Sequence, residues 1–262
     1  MGINLKEETF NLLGLGTLIL REQKRFTTVW TQTLLAPVVT SILFLVVFSF
    51  ILASRKIEVG GFNYTLFIAP GILTLTIMQN SFANTSSSLL ISKVQGNIVD
   101  TLMAPLRPIE IVLGYMVGGV LRGLFVSLAV LFIIFPFISL FPKYPLTLFG
   151  FILIASAELS LLGIVAGIVS QKFDHMQAIV NFVITPLSFL SGTFYTINSL
   201  PPLLSLITSY NPIFFLIDGV RYGCIGYSEG NPLTGFIYSI IICLILVCLS
   251  TYWIAIGYKL KQ

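Results

Sequence analysis

The sequence predicts an all-α integral membrane protein, on two grounds of composition and one of patterning. Hydrophobic residues make up 56% of the 262 residues and charged residues only 9%, whereas a soluble domain carries about 25% charged residues. The apolar residues also form long continuous runs. Such runs predict helices rather than barrel strands, because barrel strands alternate between apolar and polar residues.

The first element predicted is an interfacial amphipathic helix. Residues 1–30 mix leucines with charges, among them Arg21 and Arg25. We expect a helix at about 5–28 that lies at the membrane surface with its basic residues toward the headgroups.

Six later segments are long and apolar enough to cross the hydrocarbon core, which takes a helix of about 20 residues. No repeat or linker divides the chain, so we expect a single transmembrane domain over residues 1–262. The predicted spans are about 31–53, 66–90, 109–138, 147–170, 178–198 and 233–257.

The segment between the fifth and sixth spans does not fit a clean crossing. It is apolar but repeatedly interrupted, so we expect short external re-entrant helices, sheltered by protein because their free backbone groups need partners. Asp218 and Arg221 are three residues apart and are expected to pair. The residues that define this region are Gly192, Asn211, Pro212, Asp218 and Arg221.

The basic residues predict the orientation. With six spans and the N-terminus inside, nine lysines and arginines fall on the cytoplasmic side and four on the external side. The positive-inside rule then places both termini in the cytoplasm. The cytoplasmic set is Lys6, Arg21, Lys24, Arg25, Lys93, Arg107, Lys172, Lys259 and Lys261, and the external set is Arg55, Lys56, Lys143 and Arg221.

Several function classes are disfavoured. The net charge of +4 is modest and scattered, which gives no basis for nucleic-acid binding. The three cysteines form no Cys-x-x-Cys pair, and the single histidine, His175, sits beside Lys172 and Asp174 in a turn. We therefore expect neither a metal site nor a catalytic residue.

The short polar loop at 91–108 carries Ile98, Leu102 and Leu106 at a spacing of four, which gives a short helix one apolar stripe. Pro105 and Pro108 would end that helix. The stripe fits a helix that docks into a partner, but a plain connector has the same periodicity.

Six blocks of sequence occur in a characteristic order and spacing: 96–106, 114–123, 185–195, Leu200-Pro201-Pro202, Asn211-Pro212 and 218–223. Together they resemble the permease subunits of type-2 ABC transporters (the ABC-2 type), nearest to the YadH-like branch of bacterial permeases. The likeness runs over nearly the whole chain. Two positions depart from the family: Asp100 replaces the usual glutamate, and Phe215 replaces a frequent tyrosine.

The resemblance implies an exporter half of six spans in a bacterial inner membrane, working as a dimer with a second copy of itself among membrane lipids. Its energy would come from a separate ATPase subunit, which would hold the ATP and Mg, while this chain would bind no cofactor. The absence of any Gly-Lys dipeptide agrees, because a P-loop needs one. The expected docking residues for the ATPase subunit are Ile98, Asp100, Leu102, Pro105, Arg21 and Arg25.

Arg122 and Glu158 are charges deep within predicted spans. Charges at such depth are costly and tend to pair or to line polar paths. We expect either a buried ion pair near mid-membrane or a place on the substrate path. Glycines spaced by four, such as Gly163 and Gly167, predict close helix packing within one subunit.

Two other functions remain open from the residues alone. An ion-coupled secondary transporter would need coupling-ion residues and often matching broken helices in its two halves, whereas the breaks here cluster in one half. A membrane-embedded lipid-modifying enzyme would need more acidic residues around Asp218 to hold a metal. The substrate is not readable from the sequence.

Overall fold

The computed structural model of the chain describes residues 10–53 and 58–260, and most of them are helical. The helices are α1 (Leu12–Thr28), α2 (Trp30–Ala53), α3 (Tyr64–Val94), α4 (Ile98–Met103), α5 (Pro108–Phe137), α6 (Pro145–Val169), α7 (Phe173–Ile179), α8 (Thr185–Phe189), α9 (Pro202–Tyr210), α10 (Pro212–Ile225) and α11 (Pro232–Ala255).

A two-stranded antiparallel hairpin, β1 (Glu58–Val59) and β2 (Phe62–Asn63), precedes α3. Gly60 and Gly61 both have positive φ and form its turn, a conformation that glycine adopts without steric cost. We call this side of the bundle the hairpin end and the opposite side, where α4 lies, the α4 end.

Within the described ranges, α2, α3, α5, α6 and α11 are long and apolar enough to cross a membrane. These helices overlap five of the six predicted spans. Three begin with proline, at Pro108, Pro145 and Pro232, because proline suits the first position of a helix, where its missing N–H is not needed. The protein is therefore an all-α integral membrane protein.

α6 lies at the centre and packs against α3, α5, α10 and α11. Glycines allow this close approach: a Cβ added at Gly163 of α6 would lie 2.6 Å from the carbonyl oxygen of Phe82 in α3. One apolar core fills the hairpin end, and a second, which includes Leu18 and Ile98, fills the α4 end.

The fifth predicted span, 178–198, is wrong in its bounds. Helical structure runs from Phe173 to Phe189, with a wide π turn (Val180–Ile184) joining α7 to α8. Pro186 cannot donate an N–H to the turn before it, and a wide turn is one way in which a helix accommodates this. By length and composition this stretch is not among the five crossing helices.

The predicted break between the last two spans takes the form of two helices, α9 and α10. They meet at an angle of 81°, so that together they form either a broken span or a re-entrant loop. Asn211 lies at the bend and caps α10 by accepting a hydrogen bond from the N–H of Ile213. Its amide nitrogen donates to the carbonyl oxygen of Leu187 and to Ser191 Oγ, which attaches the bend to the end of α8.

α1 confirms an amphipathic helix that ends at Thr28 as predicted but begins at Leu12, since residues 10 and 11 are not helical. Residues 5–9 of the predicted helix lie outside the described ranges. Leu18, Glu22 and Phe26 are its buried residues. Gly114 and Gly118 of α5 receive Leu18 and Glu22 at distances that leave no room for a Cβ. The buried face of α1 thus packs along α5.

Candidate functional site

The short helix α4 stands between the ends of α3 and α5, and its two faces have different environments. Ile98 and Thr101 are buried, and Leu102 and Leu106 pack against the core of the α4 end. Val99, Asp100 and Met103 point outward, and the side chain of Met103 is 80% exposed.

The apolar stripe predicted for partner docking therefore faces the wrong way. Ile98 is only 5% exposed, so it supports the chain's own fold and cannot contact a partner on this side. Leu102 is half-buried on the same face. The exposed residues Asp100 and Pro105 remain predicted docking residues, and Val99 and Met103 join them.

Arg21 connects three helices at the α4 end. Its Nη1 donates to Thr101 Oγ1 of α4 at 3.1 Å, and its Nη2 donates to the hydroxyl of Tyr115 in α5 at 3.0 Å. The guanidinium also lies over the Tyr115 ring, 5.7 Å from its centroid. About half of its side chain stays exposed. The predicted docking residue Arg21 thus holds α4 in place while remaining accessible.

Arg25 binds inward, because it pairs with the buried carboxylate of Glu22 at an N–O distance of 3.4 Å. The other carboxylate oxygen accepts a hydrogen bond from Ser88 Oγ at 2.8 Å, and Arg25 Nη2 donates to Asn84 Oδ1 at 2.9 Å. Glu22 was given no role on the basis of the sequence alone. The pattern that could have indicated one is a carboxylate four residues from both Leu18 and Phe26 on the apolar face of α1.

Glu110 joins the start of α1 to the turn between α4 and α5. Its carboxylate accepts hydrogen bonds from the N–H groups of Asn11 and Arg107, at 2.6 and 2.7 Å. Asn11 Nδ2 donates to the carbonyl oxygen of Pro105 at 3.0 Å.

A cleft of about 280 Å³ lies between α1 and α4. We name Val99, Asp100, Met103, Pro105 and Arg21 the α4 surface.

Lys93 is a second residue that sequence reasoning did not single out. It is buried at the end of α3, and its Nζ donates to the carbonyl oxygens of Gly167, Ile168 and Ser170 at 3.1, 2.7 and 2.6 Å. These carbonyls belong to the last turn of α6, which has no further helical N–H groups to bond. Lys93 thus fixes the chain just before α4 to the central helix.

Arg122 and Glu158 do not form the buried ion pair that was one of the two expectations. Arg122 Nη2 donates to Asn80 Oδ1 of α3 at 3.2 Å. Glu158 is fully buried, faces Ser239 and Cys243 of α11, and has no hydrogen-bond partner of regular geometry among the described residues. The two charges lie at similar depth but on different sides of the bundle.

The residues predicted for the re-entrant region are brought together at the hairpin end. Arg221 is fully buried, its Nη2 donates to the carbonyl oxygen of Gly192 at 2.6 Å, and its guanidinium lies 4.0 Å from the centroid of the Phe67 ring. Pro212 is the first residue of α10, directly after Asn211. Arg221 therefore attaches α10 to α3 and to the turn after α8.

The expected ion pair between Asp218 and Arg221 is absent within the described residues. Asp218 instead accepts hydrogen bonds from the N–H groups of Glu229 and Gly230, at 2.9 and 3.0 Å, and from Ser228 Oγ. The loop after α10 thus folds over this carboxylate. The spacing of three residues satisfied the geometry of a helical pair, but the loop supplies donors that the spacing could not show.

Glu229 adds a second carboxylate to this cluster. One of its oxygens accepts from the N–H of Ile197, and the other is buried without a partner. Burial raises the pKa of Glu229 above its ordinary value of 4.5, the nearby Asp218 acts in the same direction, and the Ile197 N–H and Arg221 partly oppose them. This cluster is a structural clamp between the loop and the turn at Ile197–Ser199.

Within the described ranges, five crossing helices with α6 at their centre, and a short surface helix braced at one end, define a multi-span membrane protein of the permease class. The chain belongs to the ABC-2 type transporter family, whose model matches residues 14–225. It is therefore the membrane-spanning permease subunit of an ABC transporter, and ATP hydrolysis takes place in a separate subunit. The readings as a secondary transporter and as a lipid-modifying enzyme are set aside.

Three relatives show how far the similarity extends. The chain is 35% identical over 241 residues to the inner membrane transport permease YadH of Escherichia coli (strain K12), covering 91% of this chain and 94% of that protein. It is 25% identical over 209 residues to the putative transport permease ycf38 of Porphyra purpurea, covering 76% and 71%. It is 24% identical over 173 residues to nodulation protein J of Neorhizobium galegae, covering 65% of each.

Proposed function

We propose that this permease exports its substrate across a bacterial inner membrane as a pair with a second copy of itself. The location is supported by its similarity to an inner membrane transport permease of Escherichia coli, and the direction and pairing are supported by the family resemblance. Both termini and the α4 end lie in the cytoplasm, so the chain between the end of α6 and the start of α11 makes a sixth crossing in addition to the five long helices. Exposed apolar faces such as Val39 and Leu43 of α2 meet membrane lipids or the second copy.

The ATPase subunit, which holds ATP and Mg, docks on the α4 surface. The observation that carries this proposal is the bracing of α4: Arg21 connects it to α1 and α5, and Glu110 connects the turn after it to the start of α1. A movement imposed on α4 therefore passes into α1 and α5 at once. A loosely attached connector would absorb the movement instead.

The packing behind α4 explains how a movement at the surface would travel further. Gly114 and Gly118 receive side chains of α1 in direct contact, and Gly163 lies against the backbone of α3. Closely packed interiors shift between discrete arrangements rather than deforming continuously. The half-transporter would therefore change its contact with the second copy as a body when the ATPase subunit moves α4.

The outward face of α4 provides the test. Met103→Asp places a charge where an apolar side chain would be buried by the partner, and loss of such burial should weaken association with the ATPase subunit at least tenfold. The measurement is co-purification and binding of the co-expressed ATPase subunit. Gln95→Asp, an equally exposed change three residues before α4, is the matched control and should bind normally.

Ile98→Asp separates docking from folding. Because Ile98 is buried in the chain's own core, this change should lower the yield of folded permease, whereas Met103→Asp should leave the yield and size-exclusion profile unchanged. Normal ATPase binding and transport in Met103→Asp would exclude the α4 surface as the docking site.

A further inference from the structure

A polar cleft of about 400 Å³ opens between α2, α3 and α5, away from the α4 surface. It lies near the middle of α3 and α5, at Asn80 and Arg122, and beside the first turns of α2. Its walls carry amide, hydroxyl and guanidinium groups. The polar residues that matter most are Gln32, Thr33, Thr40, Thr76, Asn80 and Arg122.

Arg122 has no counter-ion in this cleft. Among the described residues no carboxylate oxygen lies within 4.0 Å of a guanidinium nitrogen of Arg122. The ion pairs of the described residues join Glu22 to Arg21 and Arg25 instead. Arg122 makes one hydrogen bond, to the amide oxygen of Asn80, and its Nε is buried without an acceptor. Donor capacity of the guanidinium is left unused.

The surroundings of the cleft add positive charge rather than compensating it. Arg25 is close enough to act electrostatically on Arg122, and the single carboxylate that Arg25 contacts, Glu22, is shared with Arg21. A cation as deep as Arg122, near the middle of α5, is costly unless it is paired or hydrated. This face of the bundle is therefore unsuited to contact with lipid chains.

The cleft is accessible, since Gln32, Thr40 and Gln79 are exposed and Arg122 is half-buried. Guanidinium groups bind phosphate and carboxylate groups through parallel charged hydrogen bonds. Amide and hydroxyl groups beside the guanidinium can complete the shell of such a ligand.

We propose that this cleft binds an anionic group, a phosphate or carboxylate, carried by the transported substrate. The inference rests on the proposed transport function and adds a substrate class to it. The same chemistry could belong to a lipid headgroup or to a water-soluble anion, and two probes separate these sources.

The test uses the full chain in phosphatidylcholine nanodiscs. Trp30 lies next to Val29, which lines the cleft, and Trp253 is the other tryptophan, so the fluorescence of Trp30 in a Trp253→Phe background reports on the site. Dodecyl phosphate, inorganic phosphate and the uncharged dodecyl maltoside are titrated separately. We expect saturable binding of one phosphate probe or both, and no saturable response to the maltoside.

Two variants test the role of Arg122. Arg122→Gln should weaken phosphate binding about tenfold, through loss of a charged hydrogen bond. Arg122→Lys keeps the charge but cannot form the parallel pair of hydrogen bonds, so it should weaken binding less than Arg122→Gln. Gln79→Glu keeps the shape of an exposed wall residue, supplies the missing carboxylate and should weaken binding even if Arg122→Gln folds poorly. Lys143→Gln, which removes an exposed cation at the hairpin end, should have no effect.

The outcomes distinguish a lipid headgroup from a water-soluble anion as the source of the anionic group, and both from failure of the proposal. Binding of dodecyl phosphate alone identifies a lipid-type headgroup, and equal binding of inorganic phosphate identifies a soluble anion. Binding that is unchanged in Arg122→Gln and Gln79→Glu, or absent altogether, overturns the proposal. Loss of pairing in Arg122→Gln without any phosphate binding would instead make the cleft a contact with the second copy, which also overturns it. No ATPase subunit is needed, so failure here leaves the docking test of Met103→Asp unaffected.

Discussion

At the residue scale, Glu229 is the group outside the spans whose protonation should affect the protein most directly. Its pKa is raised, chiefly by burial, and the groups that face it are Asp218, Arg221, Tyr227 and the N–H of Ile197. A carboxyl whose pKa is higher in the folded state binds its proton more tightly there. Its contribution to stability is therefore complete below the ordinary pKa of 4.5 and is lost as the pH rises through the raised value.

Glu229→Gln should remove this dependence. The amide mimics the protonated carboxyl and can still accept from the Ile197 N–H, so the variant should unfold about 2 °C higher than the wild type at pH 7. The two should converge near pH 4.5. Thermal unfolding in detergent across this range provides the measurement. Glu58→Gln, an exposed carboxylate at the same end, serves as the control, and parallel curves for Glu229→Gln and wild type would refute the prediction.

The partners of a charged side chain could be predicted from the sequence only where the sequence offered a single environment for that charge. The depth of Arg122 and Glu158 along their helices follows from the sequence, but the rotation of each helix does not. Arg122 turns toward α2 and α3, while Glu158 turns toward Ser239 of α11. Equal depth therefore did not produce a pair. Glu22 was missed because a glutamate on the apolar face of a helix does not indicate its partners in the sequence. Its role is visible only in the structure, where Arg25 and Ser88 both contact its carboxylate.

At the scale of elements, helix positions followed from local chemistry and helix faces did not. Proline at the first position of α5, α6 and α11 placed those starts within about two residues of the prediction. The stripe of Ile98 and Leu102 correctly indicated a helix at α4. Periodicity cannot tell whether an apolar stripe faces the chain's own core or a partner, and here it faces the core.

Close packing of α6 on α3 gives a prediction at this scale. Gly163→Ala would place a Cβ 2.6 Å from the carbonyl oxygen of Phe82, and such overpacking costs about 1–3 kcal/mol. Gly150→Ala on the same helix meets nothing closer than Phe236 at 3.6 Å, so the better helix propensity of alanine should leave it neutral or slightly stabilised. Thermal unfolding of both variants compares them. Equal stability of the two would show that α6 and α3 do not meet as closely as the structure places them.

At the scale of the whole molecule, composition was sufficient for the fold class because a chain with 9% charged residues cannot cover a water-facing surface. The bend between α9 and α10 and the early end of α8 were harder to predict from the sequence, because both depend on tertiary hydrogen bonds. Asn211 bonds the end of α8, and Arg221 bonds the carbonyl oxygen of Gly192. Neither contact has a signature in a short window of sequence.

The orientation of the molecule decides whether the α4 surface can meet an ATPase subunit at all. The basic residues favour a cytoplasmic α4 end, although four residues in that count, Lys6, Arg55, Lys56 and Lys261, lie outside the described ranges. Labelling of single cysteines measures the orientation directly. Gln95 at the α4 end and Ser199 at the hairpin end are both exposed, so single cysteines there can report on the two sides of the membrane.

In a variant with Cys224, Cys243 and Cys248 replaced by alanine, Ser199→Cys should react in intact cells with a membrane-impermeant maleimide. Gln95→Cys should react only after the inner membrane is permeabilised, because the bilayer separates it from the reagent. Each variant is the control for the other, since both are exposed and differ only in the end of the bundle they occupy. Labelling of Gln95→Cys in intact cells would reverse the topology. The α4 surface would then face away from the compartment that holds ATP, and the docking proposal would fail with it.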